Sequence, residues 1–442
     1  MTKQHPPQFL LLGALLVASV SGIRALGDPR AHLFAFYGWY ALAFVAYLLT
    51  LRWLGRTQPS PTKERPADRA PFVWLLLVAA ACRFLLIGTT PKFSDDMYRY
   101  VWDGRVQEAG IDPYSLAPDD QELAFLRNEA WTHINFPHLR TVYPPLTELS
   151  FRVGERLGGS LTAHKAIFLV AELLALLSLA LLLRRRKRSL LWLAAYAWHP
   201  LVILEIAGQG HNDALGAALL WAGVAAWEGR RPATAALAWG ASFLSKFLSV
   251  ILVPWWWMRH QDRRWLLALL ALTSLPFAFH RPLTDALAGS LSAMTGRGGS
   301  NPSLYLLIAA THRHAAPLLA LGLWGAFLMW RAIRERDPVR YVVIGLAAAA
   351  LLAPALHPWY LVWLIPGFVY WRPPALIALT GTAVLSYAVW PGYLATGRWE
   401  LPIWAHVLEY APVAVLGLWG IARWVSRSSF QPATKPQLSA KS

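Results

Sequence analysis

Two adjacent carboxylates open a stretch suited to proton transfer and phosphate binding: Ser94-Asp95-Asp96-Met97-Tyr98-Arg99-Tyr100-Val101-Trp102-Asp103-Gly104-Arg105. A carboxylate can take the proton of an alcohol, a guanidinium can hold a phosphate, and an aromatic face can stack on a sugar ring. Ser94 is a good N-cap, so Asp95 and Asp96 are expected in the first turn of a helix, where the helix dipole favours their ionised forms. Arg99 lies four residues from both Asp95 and Asp103, and the three can share one helical face. Tyr98, Val101 and Trp102 form an apolar stripe suited to a membrane interface. The ordinary reading stands beside this one: Asp in a first turn is common helix-end chemistry, and Tyr and Trp are common at membrane surfaces.

Other polar residues stand out from apolar surroundings. Lys246 interrupts the run Ala233–Trp257 with no neighbouring charge. A lysine at membrane depth is costly and marks a functional position, unless its stem lets it reach the interface. His211-Asn212-Asp213 opens a span, where Asp213 serves either as a cap or in a site. In His357-Pro358-Trp359-Tyr360 the proline is routine at a helix start and the histidine is not. Arg297-Gly298-Gly299 reads as a flap over substrate or as a plain hinge. Candidates for a phosphate are therefore Arg99, Arg105, Lys246, His211, His357 and Arg297. Zinc-ligand spacing is missing, and a divalent ion bridging the acidic pair to a phosphate stays open.

The elements that must position these residues follow from composition. Of 442 residues 56% are hydrophobic and only 15% charged, where a soluble chain carries about 25% charged residues. Runs such as Phe9–Leu26, Leu161–Leu183 and Ala315–Trp330 approach or reach the roughly 17–25 residues needed to cross a bilayer core as helix. The fold expected is all-α, a polytopic transmembrane bundle of about twelve to fourteen spans. Two short runs around Lys246 read as one broken helix. The net charge of +17 is carried in short clusters between apolar runs, such as Arg184-Arg185-Arg186-Lys187-Arg188. That is the positive-inside pattern and not a nucleic-acid surface. It places both termini in the cytoplasm.

The organisation expected is N-terminal spans over 1–88 with a basic linker at 52–71, a large extracytoplasmic loop at 89–160 and a central bundle at 161–279. A second outer loop follows at 280–314, a C-terminal bundle at 315–426 and a disordered cytoplasmic tail at 427–442. The first apolar run reads as a retained anchor. Cys82 stands alone, so there is no disulfide framework. In the first loop Gly110-Ile111-Asp112-Pro113-Tyr114 supplies a rigid turn and Tyr143-Pro144-Pro145 closes it. Trp255-Trp256-Trp257 reads as an interfacial anchor. Of the tryptophans expected on the outer side (102, 131, 359, 390, 399 and 404), one or two are expected to stack on sugars.

The run Asp-Asp-x-Tyr-Arg-Tyr-x-Trp-Asp-Gly-Arg, with Pro113-Tyr114 and Tyr143-Pro144-Pro145, resembles the GT-C superfamily. More narrowly it resembles the polyprenyl-phosphate-mannose-dependent mannosyltransferases of bacterial envelopes. The resemblance is dense over 83–146 and continues in islands at 210–213, Lys246 and 357–360. It implies an inverting membrane glycosyltransferase that moves a hexose, mannose above all, from a polyprenyl-phosphate donor to a glycan, lipid or protein acceptor on the outer face of the cell membrane. It implies that one Asp of the pair is the base, and motif position puts Asp95 ahead of Asp96. Sugar- and acceptor-binding candidates are Tyr98, Trp102, Asp103, Tyr114, Tyr143, Asn212, Asp213, Trp359 and Tyr360. A transporter or flippase of lipid-linked sugar is the alternative, and a non-catalytic assembly partner a third. Transporters show repeated halves and polar residues at the midplane of several spans. The concentration of acidic residues in one loop favours the enzyme.

Overall fold

The computed structural model describes residues 7–57, 66–259, 262–295 and 301–428. Regular structure among these residues is helical throughout, the form in which an apolar run satisfies its own backbone groups in lipid. Three helices open the chain: α1 (Pro7–Ala25), α2 (Leu33–Thr57) and α3 (Pro66–Ile87). Two shorter ones, α4 (Asp96–Glu108) and α5 (Pro145–Arg156), lie in the first long loop, and α6 (Leu161–Arg185) returns the chain to the bundle.

Among the described residues seven helices are long and apolar enough to cross a membrane, namely α1, α2, α3, α6 and the segments Ala316–Arg334, Pro374–Thr396 and Ile403–Arg423. Two more apolar pairs are bent, Leu190–Ala197 with Pro200–Gly208 by 57° and Arg263–Phe279 with Arg281–Ser290 by 90°. Counting each pair as one span brings the number to nine. Sequence periodicity suggests more because several apolar runs fold as short helices. Asp213–Glu228 and Pro232–Lys246 have 16 and 15 residues, short of the roughly 20 that span a bilayer core unaided; the first packs against α6 and the two pack against each other. Burial elsewhere in the bundle explains why they are apolar on every side.

Three internal fasteners tie α3 and the start of the loop to the bundle. Arg83 of α3 forms a buried ion pair with Glu172 of α6 at 2.5 Å and donates to the Ala197 carbonyl at the bend. Lys165 Nζ donates to the carbonyls of Thr89 and Gly208 at 2.6 and 2.5 Å. The Gln209 side-chain oxygen accepts from the backbone N–H of Lys92 and Phe93 at 3.0 and 2.9 Å. The acidic motif is thereby tied to the π-helical turn Ile203–Gly208.

The loop is itself packed. Trp102, Val106, Leu123 and Ile134 form a small core of their own, so the stripe expected at a membrane interface is turned inward. Helix α4 lies so close to α5 that a Cβ on Gly104 would overlap the Phe151 carbonyl. Tyr114 packs with Leu283 and Ala286, which joins the first loop to the helix Arg281–Thr295 of the second. Trp255 and Trp256 are also inside, 1% and 0% exposed, and only Trp257 of that triplet reaches the surface. Arg297, residues 58–65 of the basic linker and most of the C-terminal tail lie outside the described residues.

Candidate active site

The two carboxylates of the motif part company at the start of α4. The helix begins at Asp96, with Asp95 in the cap position but making no side-chain cap bond. The Ser94 hydroxyl instead accepts from the Asp96 N–H at 3.2 Å. Asp95 lies in the field of Arg30 and His133. Asp96 faces inward, where Lys246 and Asp213 act on it and Asn135 hydrogen-bonds it. Burial pushes the Asp96 carboxyl up to about 6, with Lys246 opposing the rise. Asp95 is raised too, by burial against the pull of Arg30.

What Asp96 faces is assembled from elements far apart in sequence. The turn after the π-helix carries Gly210 at φ +75, where a Cβ would overlap Met97 of α4. Only glycine lets this turn approach so closely. It delivers His211, whose Nδ1 stands 3.8 Å from Asp96 Oδ2 and whose Nε2 stands 3.4 Å from Glu205 Oε2. The other Glu205 oxygen accepts from the Tyr387 hydroxyl at 2.6 Å. Asp213, buried, accepts from Trp363 Nε1 at 2.6 Å and lies 3.4 Å from Lys246 Nζ. Lys246 ends its helix just before Phe247, which turns the chain with φ 58, and its ammonium sits 5.6 Å from the centre of the Tyr143 ring. Trp359 stacks on His211 at 4.1 Å and on His357 at 4.4 Å. Tyr360 lies in the fields of Asp213 and Asp96 and stacks on Trp363.

The site thus brings together nine of the positions singled out in the sequence: Asp96, Tyr143, His211, Asn212, Asp213, Lys246, His357, Trp359 and Tyr360. Its polar atoms are not all used up. Both ring nitrogens of His211, both amide atoms of Asn212, Asp213 Oδ2, Glu205 Oε2 and the Tyr100 hydroxyl are buried without a hydrogen-bond partner. Buried polar groups are normally hydrogen-bonded; His211 and Asp213 have only the longer charge contacts given above, which leaves bonds for a polar ligand to supply.

Other candidates are placed elsewhere. Arg99 grips both oxygens of Asp103 at 2.8 and 2.9 Å and the Leu139 carbonyl, bracing α4 to the loop. Asp103 in turn adjoins Glu148, which accepts from Thr141 at 2.6 Å. Burial and the negative Asp103 hold Glu148 well above the usual carboxylate range. Arg105 faces Glu155 of α5. Tyr98 stacks on His133, Trp102 is in the loop core, and Tyr114 donates to the Tyr143 carbonyl at 2.8 Å. Glu205, Tyr387, Trp363 and Tyr100 belong to the cluster and were not singled out. Glu205 carried the same signal as Lys246, a charge inside an apolar run. Among the described residues no three His, Cys, Asp or Glu side chains are grouped to hold a metal ion.

Comparison with known proteins agrees with this chemistry. Residues 10–259 match the family described as alpha-(1->6)-mannopyranosyltransferase, N-terminal domain. Alpha-(1->6)-mannopyranosyltransferase A of Mycobacterium tuberculosis is 24% identical over 436 residues, covering 88% of this chain and 81% of that protein.

Proposed function

We propose a mechanism from the premise that this chain belongs to the MptA_B family of alpha-(1->6)-mannopyranosyltransferases. It is a GT-C mannosyltransferase held in a membrane by at least seven helices. Our reading is that it moves mannose from a polyprenyl phosphate to a hydroxyl of a glycan acceptor on the outer face of the membrane, in one inverting displacement.

In this reading Asp96 takes the proton from the acceptor hydroxyl as that oxygen attacks the anomeric carbon. A carboxylate suits the task, because the sugar becomes oxocarbenium-like and a nearby anion stabilises it. Lys246 meets the departing phosphate. It is held by Asp213 and the Tyr143 face, so its charge is placed before the reaction and no reorganisation is needed. A phosphate monoester leaves without a general acid. His211, kept in place by Glu205 and Trp359, backs Asp96. An α-linked product from a single displacement requires the phosphate to leave from the β face, which a base on one side of the sugar and a cation on the other provide.

The donor's isoprenoid chain fits the apolar groove of about 570 Å3 between α2 and the segment Pro374–Thr396, lined by Tyr37, Phe44, Leu48, Ile377 and Leu385. Phe36, Phe93 and Tyr387 pack together, and Tyr387 also meets Glu205 of the site. The observation that carries the whole reading is the meeting of Asp96 with His211, Asp213 and Lys246, among buried polar atoms that lack a hydrogen bond.

The test is transfer by the full chain in proteoliposomes, supplied with either polyprenyl-phosphate-mannose or a nucleotide-diphosphate mannose and a mannoside acceptor. Transfer from the lipid donor alone is expected, with an α linkage by NMR. Transfer from the nucleotide sugar alone, or a β product, would contradict it.

A further inference from the structure

Beside the site, beyond the pair His357 and Trp359, lies a cavity of about 380 Å3. That volume is within the range of small-molecule pockets. Its near wall is shared with the site, through Trp359 and Tyr387. Its far wall is built around Asn301, and its rim carries Trp399 and Glu400.

The far wall is fixed by a buried polar network. The Asn301 amide donates to both oxygens of Glu409 at 3.0 and 2.9 Å, and its Oδ1 pairs with His406 Nδ1 at 3.1 Å. The Tyr410 hydroxyl donates to the Asn301 carbonyl at 3.2 Å. Asn301 itself sits at φ 52, a left-handed backbone that asparagine tolerates better than most residues. Glu409 is 0% exposed on the segment Ile403–Arg423. Its two oxygens are satisfied by the Asn301 amide, which holds the wall in shape.

The lining favours one ligand chemistry. The rim carries the carboxylate of Glu400, which disfavours a phosphate. At the rim Trp399, 44% exposed, presents an aromatic surface suited to the C–H face of a pyranose, whereas Phe93 and Tyr387 stack on each other and Trp359 on His211 and His357. Glu400, His406 and Ser386 suit its hydroxyls. We propose that this cavity binds the terminal, uncharged hexose of the acceptor glycan, leaving the Lys246 side of Asp96 to the donor phosphate. The inference rests on the mannosyltransferase reading above and adds where each substrate sits.

The test uses the full chain with Glu400→Gln, Trp399→Ala and Trp399→Phe, all at exposed rim positions, compared at equal amounts of folded protein because Trp399 also packs edge-on to Trp390 and Tyr393. With polyprenyl-phosphate-mannose as donor and a neutral mannoside as acceptor, Glu400→Gln and Trp399→Ala should raise the acceptor KM by about tenfold, the effect of one lost charged hydrogen bond or stacking face. The donor KM should stay unchanged, and Trp399→Phe should restore most of the loss. Unchanged acceptor KM, or a raised donor KM instead, overturns the assignment while leaving the mannosyltransferase reading intact. Binding of an α-mannobioside in nanodiscs, read by saturation-transfer NMR, needs no donor at all. Weaker binding by both variants supports the cavity, and equal binding by wild type and variants refutes it even if no transfer from the lipid donor is found.

Discussion

A base must be ionised to work, and its environment decides the pH at which that happens. Burial lifts the Asp96 carboxyl to about 6 while Lys246 restrains the rise. The protonated form prevails below that value and cannot accept a proton. Transfer should therefore rise with pH through about 6 and level off above, a limb seen in a pH–rate profile under saturating donor; a rate independent of pH across that range would point to another base. Lys246→Ala should raise the donor KM more than it lowers kcat, because the ammonium already lies beside Asp213 and binds the phosphate in the ground state as well as in the transition state. Lys246 stands out in the sequence as a lone charge in an apolar run, and the fold sets it beside Asp213. Glu205 has the same signature and lies beside His211, whereas Arg83, Glu172 and Lys165, also charges in apolar helices, act as fasteners. Arg99 was the reverse case. Its i+4 spacing to Asp103 was visible, but spacing gives a shared face and not what lies opposite, and the pair turned out to brace the loop.

At the scale of elements, the site depends on close approaches that only small residues allow. Helix α4 meets α5 at Gly104, and a methyl there would strike the Phe151 carbonyl, which cannot swing away as a side chain can. Gly104→Ala should destabilise the fold by about 1–3 kcal/mol, the usual cost of overpacking, seen as a lower melting temperature in detergent, and reduce transfer by tilting Asp96. The Gln209 clamp is a second device. Gln209→Ala leaves the Lys92 and Phe93 N–H groups without their acceptor, and kcat should fall with little change in either KM, since the loop bearing Asp96 loosens while the Lys246 side stays. An unchanged kcat would mean that the other two fasteners suffice. Such contacts were not legible. Hydropathy marks where helices run, and the turn chemistry of Pro113 and Pro144 marks the loop's corners. The bend at Pro200, the right angle at His280 and the packing of Trp102 into the loop core depend on tertiary neighbours that no local pattern contains.

The whole molecule sets the polar cluster at one end of a helical bundle, between a packed loop and the segments that carry His211, Lys246 and His357. Apolar composition and length gave the bundle, while the number of spans came out lower because short core helices and bent pairs look like spans in a hydropathy trace. Orientation is proposed from the distribution of Lys and Arg. A cysteine placed at exposed Glu122 should react in intact cells with a membrane-impermeant maleimide, and Cys82, 0% exposed, supplies no background. Labelling only after permeabilisation would put the site on the cytoplasmic side. The central claim is narrower still: of two neighbouring carboxylates, the one turned toward His211, Asp213 and Lys246 removes the proton. Rates of mannosyl transfer by Asp95→Asn and Asp96→Asn, measured side by side in proteoliposomes at equal amounts of folded protein, test it directly. The account predicts a loss of about 10²–10⁴-fold for Asp96→Asn, the usual worth of a general base, and a far smaller loss for Asp95→Asn; an active Asp96→Asn beside an inactive Asp95→Asn would contradict it.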